Sequence, residues 1–403
     1  MKTKEIQGIT IISLVVTIII LLILSGITIT ILTGENGIIK QAVRAKENTK
    51  VAENEEQKQI DEMQEFMEAN GNDYIKNDEL DENKYLKTFI TEWTVSDGDT
   101  IVLPIYQKQD ADEERGEKET YFNYDFKVDY GDGTIAEVKS FDDENRKHTY
   151  NNGGTYKIKI DGKCEAFSFN YVEDSKEKIT KLIQWGAIFA KHYDFAECTN
   201  LSGEIPLPSK NSFMYVESFR LLFYKCENLT GTIPNDLFKY APNVITMANI
   251  FNYATGVTGK IPEKLFYGCG KITNFRYAFA GSNLEDKIPD NLFKENKNVK
   301  NFRGVFCQCH KLNGIVSQNI FSYSKEIEDF YEIFLDSENL SIDKLYINSP
   351  NIKRISYAIG KDDNKFVKSK DQIGTIYVPK NSLTAEKMKE LYVNNSNIEV
   401  IEI

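Results

Sequence analysis

The sequence predicts a multidomain chain in which an N-terminal transmembrane helix and a helical stalk precede an antiparallel β-sandwich and a leucine-rich-repeat solenoid. Three observations lead to this prediction. An uncharged apolar stretch lies between Glu5 and Glu35, short β-type runs begin after Tyr85, and a motif of about 28 residues recurs from Ile179 onward. A chain of 403 residues is also too long for one hydrophobic core, so several units are expected.

The apolar stretch predicts a membrane anchor within residues 1–34. Residues 9–32 are uncharged and rich in Ile, Leu and Val, and roughly 20 such residues span a bilayer as a helix. Lys2 and Lys4 precede the stretch, so the positive-inside rule places the short leader in the cytoplasm and the bulk of the chain outside. A cleavable secretory signal is the alternative, but its A-x-A-like cleavage site is not found here.

The residue order around the anchor resembles a prepilin-type signal. A basic leader ends at Gly8, and the uncharged helix opens with Ile9. The resemblance implies that a membrane peptidase cuts after Gly8 and leaves Ile9 as the mature N-terminus. Type IV pilins usually carry glutamate where this chain has Ser13, which favours simple anchoring over filament assembly. A minor pilin-like or pseudopilin subunit, with filament neighbours through the N-terminal helix, stays open as an alternative.

Residues 35–84 predict a charged helical stalk. They are rich in Glu, Lys and Gln, lack proline, and include a helix-stop signal at Asn70-Gly71. Their apolar positions are too sparse for a sustained coiled coil, so a solvated helix is expected.

Residues 85–170 predict an antiparallel β-sandwich. Four β-type runs indicate strands: Phe89 to Val95, Ile101 to Ile105, Tyr121 to Tyr130 and Tyr156 to Ile160. The segment Val128 to Thr134, with its Gly-Asp-Gly-Thr turn, and the segment His148 to Ile158 together resemble the signature of the PKD-type sandwich.

Two features of that signature have a competing chemical interpretation. Asp129 and Asp132 carry oxygen ligands that suit calcium, but aspartates beside glycine in hairpins usually bind their own backbone, and six or more ligands are not in sight. His148 is expected to be a packed, hydrogen-bonded residue and not a catalyst. The sequence therefore predicts no metal site here.

The repeat predicts a solenoid over residues 171–360. Phenylalanine recurs at intervals of 28, 28, 28, 27 and 28 residues, at Phe195, Phe223, Phe251, Phe279, Phe306 and Phe334. Further apolar columns keep this period, among them Leu201 to Leu340 and the column Ile205, Ile233, Ile261, Ile288 and Ile315. Each coil is too small to close a core alone and must stack on its neighbours. Residues 361–403, with a predicted helix from Thr384 to Tyr392, are expected to cap the stack.

The motif Phe223-x-x-Cys226-x-Asn228-Leu229-Thr230-Gly231-x-Ile233-Pro234 resembles BspA-like leucine-rich-repeat surface proteins, as does the lead-in from Ile179 to Gly186. The resemblance covers about half of the chain and implies a bacterial cell-surface protein that mediates adhesion or protein binding. Tyr224, Tyr253 and Arg276 stand in columns that vary between coils, and they are expected to be exposed. Exposed aromatic and arginine residues often supply interface energy, so these three form the candidate surface for an extracellular protein or glycan.

The remaining residues give no sign of catalysis or of a cofactor. Cys198, Cys226 and Cys309 share a column that requires a small buried side chain, although a disulfide between the first two stays open. Cys307 and Cys309 form a weak zinc fragment with no second ligand cluster. Three histidines, without a nucleophile beside a base, predict that the chain is not an enzyme. The net charge of −12 argues against nucleic acid.

Overall fold

A computed structural model of the chain describes residues 87–112, 118–172, 174–356, 374–393 and 398–403. The predicted anchor at residues 9–32, with Gly8 and Ile9, and the predicted stalk at residues 35–84 lie outside these ranges. Among the described residues, no helix is long and apolar enough to cross a membrane. Asp81–Ile403 form one compact unit.

The N-terminal part of this unit is built from short antiparallel strands. In chain order they are β1 Phe89–Val95, β2 Thr100–Val102, β3 Lys108–Gln109, β4 Thr120–Tyr121, β5 Tyr124–Asp129, β6 Ile135–Val138, β7 Lys147–Thr149, β8 Gly154–Cys164, β9 Ala166–Ser168 and β10 Ile179–Gln184. A 3-10 helix at Glu144–Arg146 precedes β7. Five strands form a sheet in the order β10-β1-β8-β5-β6, while β2 pairs with β7 and β3 with β4. Along β5, buried Tyr124, Phe126 and Val128 alternate with outward residues, so one face of the sheet enters the core.

The strand β10 joins the sheet to the solenoid. Ile179–Gln184 pairs antiparallel with β1, and the carbonyl of Thr180 accepts from the N–H of Ser202 in the first coil at 2.8 Å. The pairing covers the edge of β1 that faces away from β8, and an uncovered strand edge presents unpaired backbone groups. Sheet and solenoid therefore follow each other without a linker.

The hairpin between β5 and β6 has the predicted backbone chemistry. The carboxylates of Asp129 and Asp132 accept from the backbone N–H groups of Gly131 and Thr134, each at 2.9 Å. Nε2 of His148 lies 2.8 Å from Oδ2 of Asp132, and its ring stacks on Tyr130 with centroids 4.3 Å apart. His148 is thus a packed, hydrogen-bonded residue, as the sequence predicts.

The C-terminal part is a β-solenoid of about 8 turns. One parallel ladder, the first ladder, starts at β11 His192–Asp194, which pairs with β9, and continues through bridges at Ser218, Thr246, Asn274, Asn301, Asp329 and Arg354. A second ladder runs through single bridges and the short strands β12 Gly203–Glu204, β13 Leu229–Thr230, β14 Gly314–Ile315 and β15 Leu340–Ser341. The strands β16 Lys344–Tyr346, β17 Gly374–Val378 and β18 Ile398–Glu402 form a separate parallel sheet. The predicted solenoid is confirmed at this level.

The repeated phenylalanines form a stack through the centre of the solenoid. All six are fully buried, and successive ring centroids lie 5.6–6.1 Å apart with nearly parallel planes. The ring centroids of Phe167 and Phe169 lie 5.9 and 6.2 Å from that of Phe195, so the N-terminal strands and the solenoid share one continuous core. The N-terminal strands consequently close this end of the phenylalanine stack.

One apolar column is shifted by a residue. The repeat period predicts Ile315 in the core column of Ile288, but Ile315 is 43% exposed and Val316 is buried. Val316 follows Leu312 by four residues, the same spacing that separates Leu284 from Ile288. Val316 therefore takes the core position of this coil, and the prediction for Ile315 is wrong.

A helix packs near the last described strands of the chain. Helix α1, Leu383–Leu391, starts at Ser382, whose hydroxyl accepts from the N–H of Ala385 at 3.0 Å. The helix buries Thr384, Ala385 and Met388 beside the strands β16 to β18. The predicted helix from Thr384 to Tyr392 is confirmed within a residue at each end.

Candidate partner-binding edge

Each coil bends just after its position in the first ladder, and a polar side chain stabilises the bend. These polar residues recur once per coil and form a column. Side-chain oxygens accept from the backbone N–H two residues later at 2.9–3.3 Å, in the column Ser218, Thr246, Asn274, Asn301 and Asp329. Such Asx and Ser/Thr turns replace a backbone hydrogen bond and start a bend. This column is not among the features predicted from the sequence, although its turn-forming residue types recur with the period of the repeat.

The bend that follows contains two left-handed residues per coil, four positions apart. The pairs with positive φ are Leu221 and Lys225, Asn249 and Tyr253, Tyr277 and Gly281, Gly304 and Gln308, and Glu332 and Asp336. A non-glycine residue in this conformation is strained by about 1–2 kcal/mol. Backbone bonds between coils offset the strain, as when the N–H of Tyr253 donates to the carbonyl of Ala280 at 2.8 Å. We call these segments, residues 220–225, 248–253, 276–281, 303–308 and 331–336, the left-handed edge.

Two tyrosine side chains of the left-handed edge each extend over a glycine in the next coil. The ring of Tyr253 covers Gly281 and its hydroxyl donates to Oε1 of Gln308. The ring of Tyr277 covers Gly304, and a Cβ there would lie 2.0 Å from Cε1 of that ring. Glycine is therefore required at the covered position for two reasons: its backbone adopts the left-handed conformation, and the absence of a side chain leaves space for the tyrosine ring.

Arginine side chains contact the side of Tyr277. Nε of Arg303 donates to the hydroxyl oxygen of Tyr277 at 3.1 Å, and the guanidinium carbon lies 4.6 Å from the ring centroid of Tyr331. Arg276 lies over the same Tyr277 ring at 5.4 Å. Burial and the hydrogen bond to Glu332 raise the pKa of Tyr277 above its ordinary value, so its hydroxyl remains a donor. The edge thus presents aromatic and cationic groups in fixed positions.

The three residues predicted from sequence all lie on this edge. Tyr253 is 39% exposed, whereas Tyr224 and Arg276 are half-buried. Tyr224 packs under the ammonium group of Lys225, which bonds to Glu197 at 2.8 Å in the preceding coil. Comparison of the chain with protein-family models, with curated proteins and with solved structures finds no match. Tyr277, Arg303 and Tyr331 also belong to the edge and are not predicted from the sequence, although arginine recurs at Arg220, Arg276 and Arg303.

A buried polar cluster lies where the N-terminal strands meet the first coil. The Ser168 hydroxyl donates to Asp194, and Oη of Tyr106 lies 2.7 Å from Nδ1 of His192. Burial, with Arg220 nearby, lowers the pKa of His192 to about 3, so the ring is neutral. Burial raises the pKa of Asp194 to about 6, although its hydrogen bonds act to lower the pKa. Because Ser168 is bonded to the carboxylate and not to the imidazole, the cluster lacks a nucleophile paired with a base.

The cysteines act as small donors inside the solenoid. All six are buried and free, so the disulfide between Cys198 and Cys226 is not formed. The thiols of Cys226 and Cys309 donate to the carbonyls of Phe195 and Phe279, at 3.0 and 3.1 Å, and Ser337 makes the same contact. Among the described residues, no group of three or more His, Cys, Asp or Glu side chains is arranged to hold a metal ion.

Proposed function

We propose that this chain is a membrane-anchored bacterial cell-surface protein whose solenoid binds an extracellular protein or glycan through the left-handed edge. The observation that carries the proposal is the crossing of a coil by Tyr253 and Tyr277, each held by a hydrogen bond two coils away. An aromatic edge that is already fixed loses little conformational entropy on binding. Tyrosine and arginine are also the residue types enriched in binding hot spots.

The proposal includes the family resemblances. A β-solenoid built from 28-residue coils supports a BspA-like repeat array, and an antiparallel sheet with the Gly-Asp-Gly-Thr hairpin supports a PKD-like sandwich as a rigid spacer. We infer binding and not catalysis, because the Ser168 hydroxyl is bonded to Asp194 while His192 is bonded to Tyr106, so this buried cluster does not pair a nucleophile with a base.

The edge is tested by a triple substitution, Tyr224→Ala, Tyr253→Ala and Arg276→Ala, in the full-length chain. Partners recovered with the parent protein are immobilised, and their affinity for parent and variant is compared. We expect at least a tenfold loss of affinity with the fold retained. The matched control, Tyr121→Ala, Tyr267→Ala and Lys294→Ala, removes two exposed tyrosines and one lysine outside the edge.

The control also locates the site if the proposal is wrong. Tyr121 lies on the sandwich and Tyr267 on another side of the coils, so loss of binding in the control alone would move recognition away from the edge. Deleting the sandwich is not a suitable control, since the sandwich shares its core with the first coil.

The alternative, a minor pilin-like subunit, is favoured by the order Gly8-Ile9 before an uncharged stretch. It predicts that the mature chain begins at Ile9 and that Gly8→Leu leaves the leader attached. N-terminal sequencing of the membrane fraction decides this, and a retained Met1 would leave an uncleaved anchor. Surface display is tested by protease added to wall-stripped cells, which should degrade the solenoid and spare an N-terminal tag.

A further inference from the structure

A groove of about 150 Å³ lies between the sandwich and the first ladder of the solenoid. The hairpin of β3 and β4 forms one wall, with Thr120 and the adjoining Phe122. The other wall is the outer face of the first ladder, with Glu217, Ile245 and Thr273. Binding sites often lie where two structural units meet. The volume is below the roughly 300 Å³ typical of pockets for drug-sized molecules, so the occupant is a small chemical unit.

On the groove wall formed by the first ladder, a ligand can contact side chains but cannot pair with the backbone as an added strand. Backbone N–H groups of Ile245, Thr273 and Lys300 each donate to the preceding coil at 2.8 Å. A peptide that adds a strand needs free backbone donors and acceptors, and these are already used. Recognition in the groove therefore depends on side chains.

The lining side chains combine hydroxyl groups with two apolar surfaces. The hydroxyl groups of Thr120 and Thr273 donate to the carbonyls of Lys118 and Ile245, at 3.2 and 3.3 Å, and they can accept from a ligand. The hydroxyl of Thr246 accepts from a backbone N–H at 3.3 Å and can donate, and the carboxylate of Glu217 accepts. Phe122 and the 40% exposed Ile245 supply apolar contact between them. A sugar ring has the matching chemistry, because its hydroxyl groups lie around the rim and its C–H groups form an apolar face.

The charges near the groove do not favour an anion. Lys118 and Lys191 line the groove together with Glu217, and Nζ of Lys191 lies 3.4 Å from Oε1 of Glu165, so two positive charges are matched by two negative charges. A phosphate would require positive charge in excess of this balance. The ligand expected on this ground is neutral.

We propose that the groove binds one ring of a neutral saccharide. The site goes beyond the proposed function, because the groove uses the outer face of the first ladder, whereas the left-handed edge begins after the ladder residue. The hydroxyl groups of Thr120 and Thr273 bind the saccharide from opposite walls, and Ile245 contacts its apolar face.

The test uses the full-length chain kept in detergent and the methyl glycosides of glucose, galactose, mannose and N-acetylglucosamine. Saturation-transfer NMR should detect at least one glycoside, and the signal should be displaced by an excess of the free sugar. Thr120→Val and Thr273→Val, which remove one hydroxyl group each at constant shape, should weaken binding at least fivefold. Thr258→Val on the second ladder is the matched control and should leave the affinity unchanged.

Three results would overturn the saccharide site. They are the absence of transfer to all four glycosides, glycoside binding that survives both groove substitutions, and binding of inorganic phosphate where no glycoside binds, which would make the groove an anion site. The triple variant of the left-handed edge should retain glycoside binding, so failure at the groove and failure at the edge are distinguishable.

Discussion

The hydroxyl group of Tyr277 donates a 2.8 Å hydrogen bond to Oε2 of Glu332, which belongs to the second coil further along the solenoid. The tyrosine ring reaches Glu332 only because Gly304, in the coil between them, leaves space for it. Stacked repeats ordinarily contact their nearest neighbours alone. Tyr277 therefore couples three successive coils, and Tyr253 does the same through Gly281 and Gln308.

We expect Gly304→Ala to destabilise the chain more than an ordinary glycine substitution. The left-handed backbone alone should cost about 1–2 kcal/mol, and displacement of the Tyr277 ring should add about 1–3 kcal/mol from its lost hydrogen bond and packing. Gly203→Ala is the control, because Gly203 has φ +89° and open space around it. Urea unfolding measures both, and adding Tyr277→Ala should recover part of the difference. Equal losses at the two glycines would contradict the crossing of Gly304 by Tyr277.

The phenylalanine stack predicts a large loss on truncation. Phe251 is fully buried between Phe223 and Phe279, with ring centroids at 5.8 and 6.1 Å. We expect Phe251→Ala to lower the free energy of unfolding by about 3–5 kcal/mol. Tyr253→Phe, two positions away, removes only a hydroxyl group and should cost about 1 kcal/mol. Similar melting temperatures for the two variants would be evidence against a packed ladder.

The cysteines should be unreactive in the folded chain. Burial raises the pKa of Cys269, Cys307 and Cys309 to about 12, and it also raises the pKa of the other three thiols above the ordinary value. Because the thiolate is the reactive form, Ellman's reagent at pH 8 should label none of the six without denaturant and all six with it. Fast labelling of any cysteine in the folded protein would show that its coil opens.

His192 should make stability sensitive to acid. Its pKa is lowered to about 3 in the folded chain, so below about 6.5 the unfolded chain binds a proton that the folded chain does not. The contribution of His192 is complete above pH 6.5 and is lost as the pH falls toward 3. Asp194, whose pKa is raised to about 6, acts in the opposite direction, since its contribution is lost as the pH rises through 6.

The His192 contribution is isolated by His192→Gln. The difference in unfolding free energy between parent and variant should shrink between pH 7 and pH 4.5, by up to about 1.4 kcal/mol for each pH unit. Urea titrations at the two pH values measure it, with His310→Gln as the control at an exposed histidine. A difference that does not change with pH would mean that His192 titrates normally in the fold.

The sequence by itself determined the parts of the fold that repeat or alternate. Phe223, Phe251 and Phe279 recur because each coil must bury one side chain at the same height, and this requirement is visible as a period. Asp132 and Gly133 specify their hairpin through local backbone chemistry, and Thr384 to Tyr392 specify a helix in the same way. Even the shift at Ile315 was readable from the four-residue spacing between Leu312 and Val316.

The tertiary structure alone decided how distant segments meet. The pairing of β10 with β1 joins residues about 90 positions apart, and either strand could have paired elsewhere with the same local pattern. The contact of Tyr277 with Glu332 depends on the pitch of the coils and on the space above Gly304. The groove beside Ile245 exists because the β3–β4 hairpin stands over the first ladder. No local propensity encodes such distances, since they follow from the packing of the whole core.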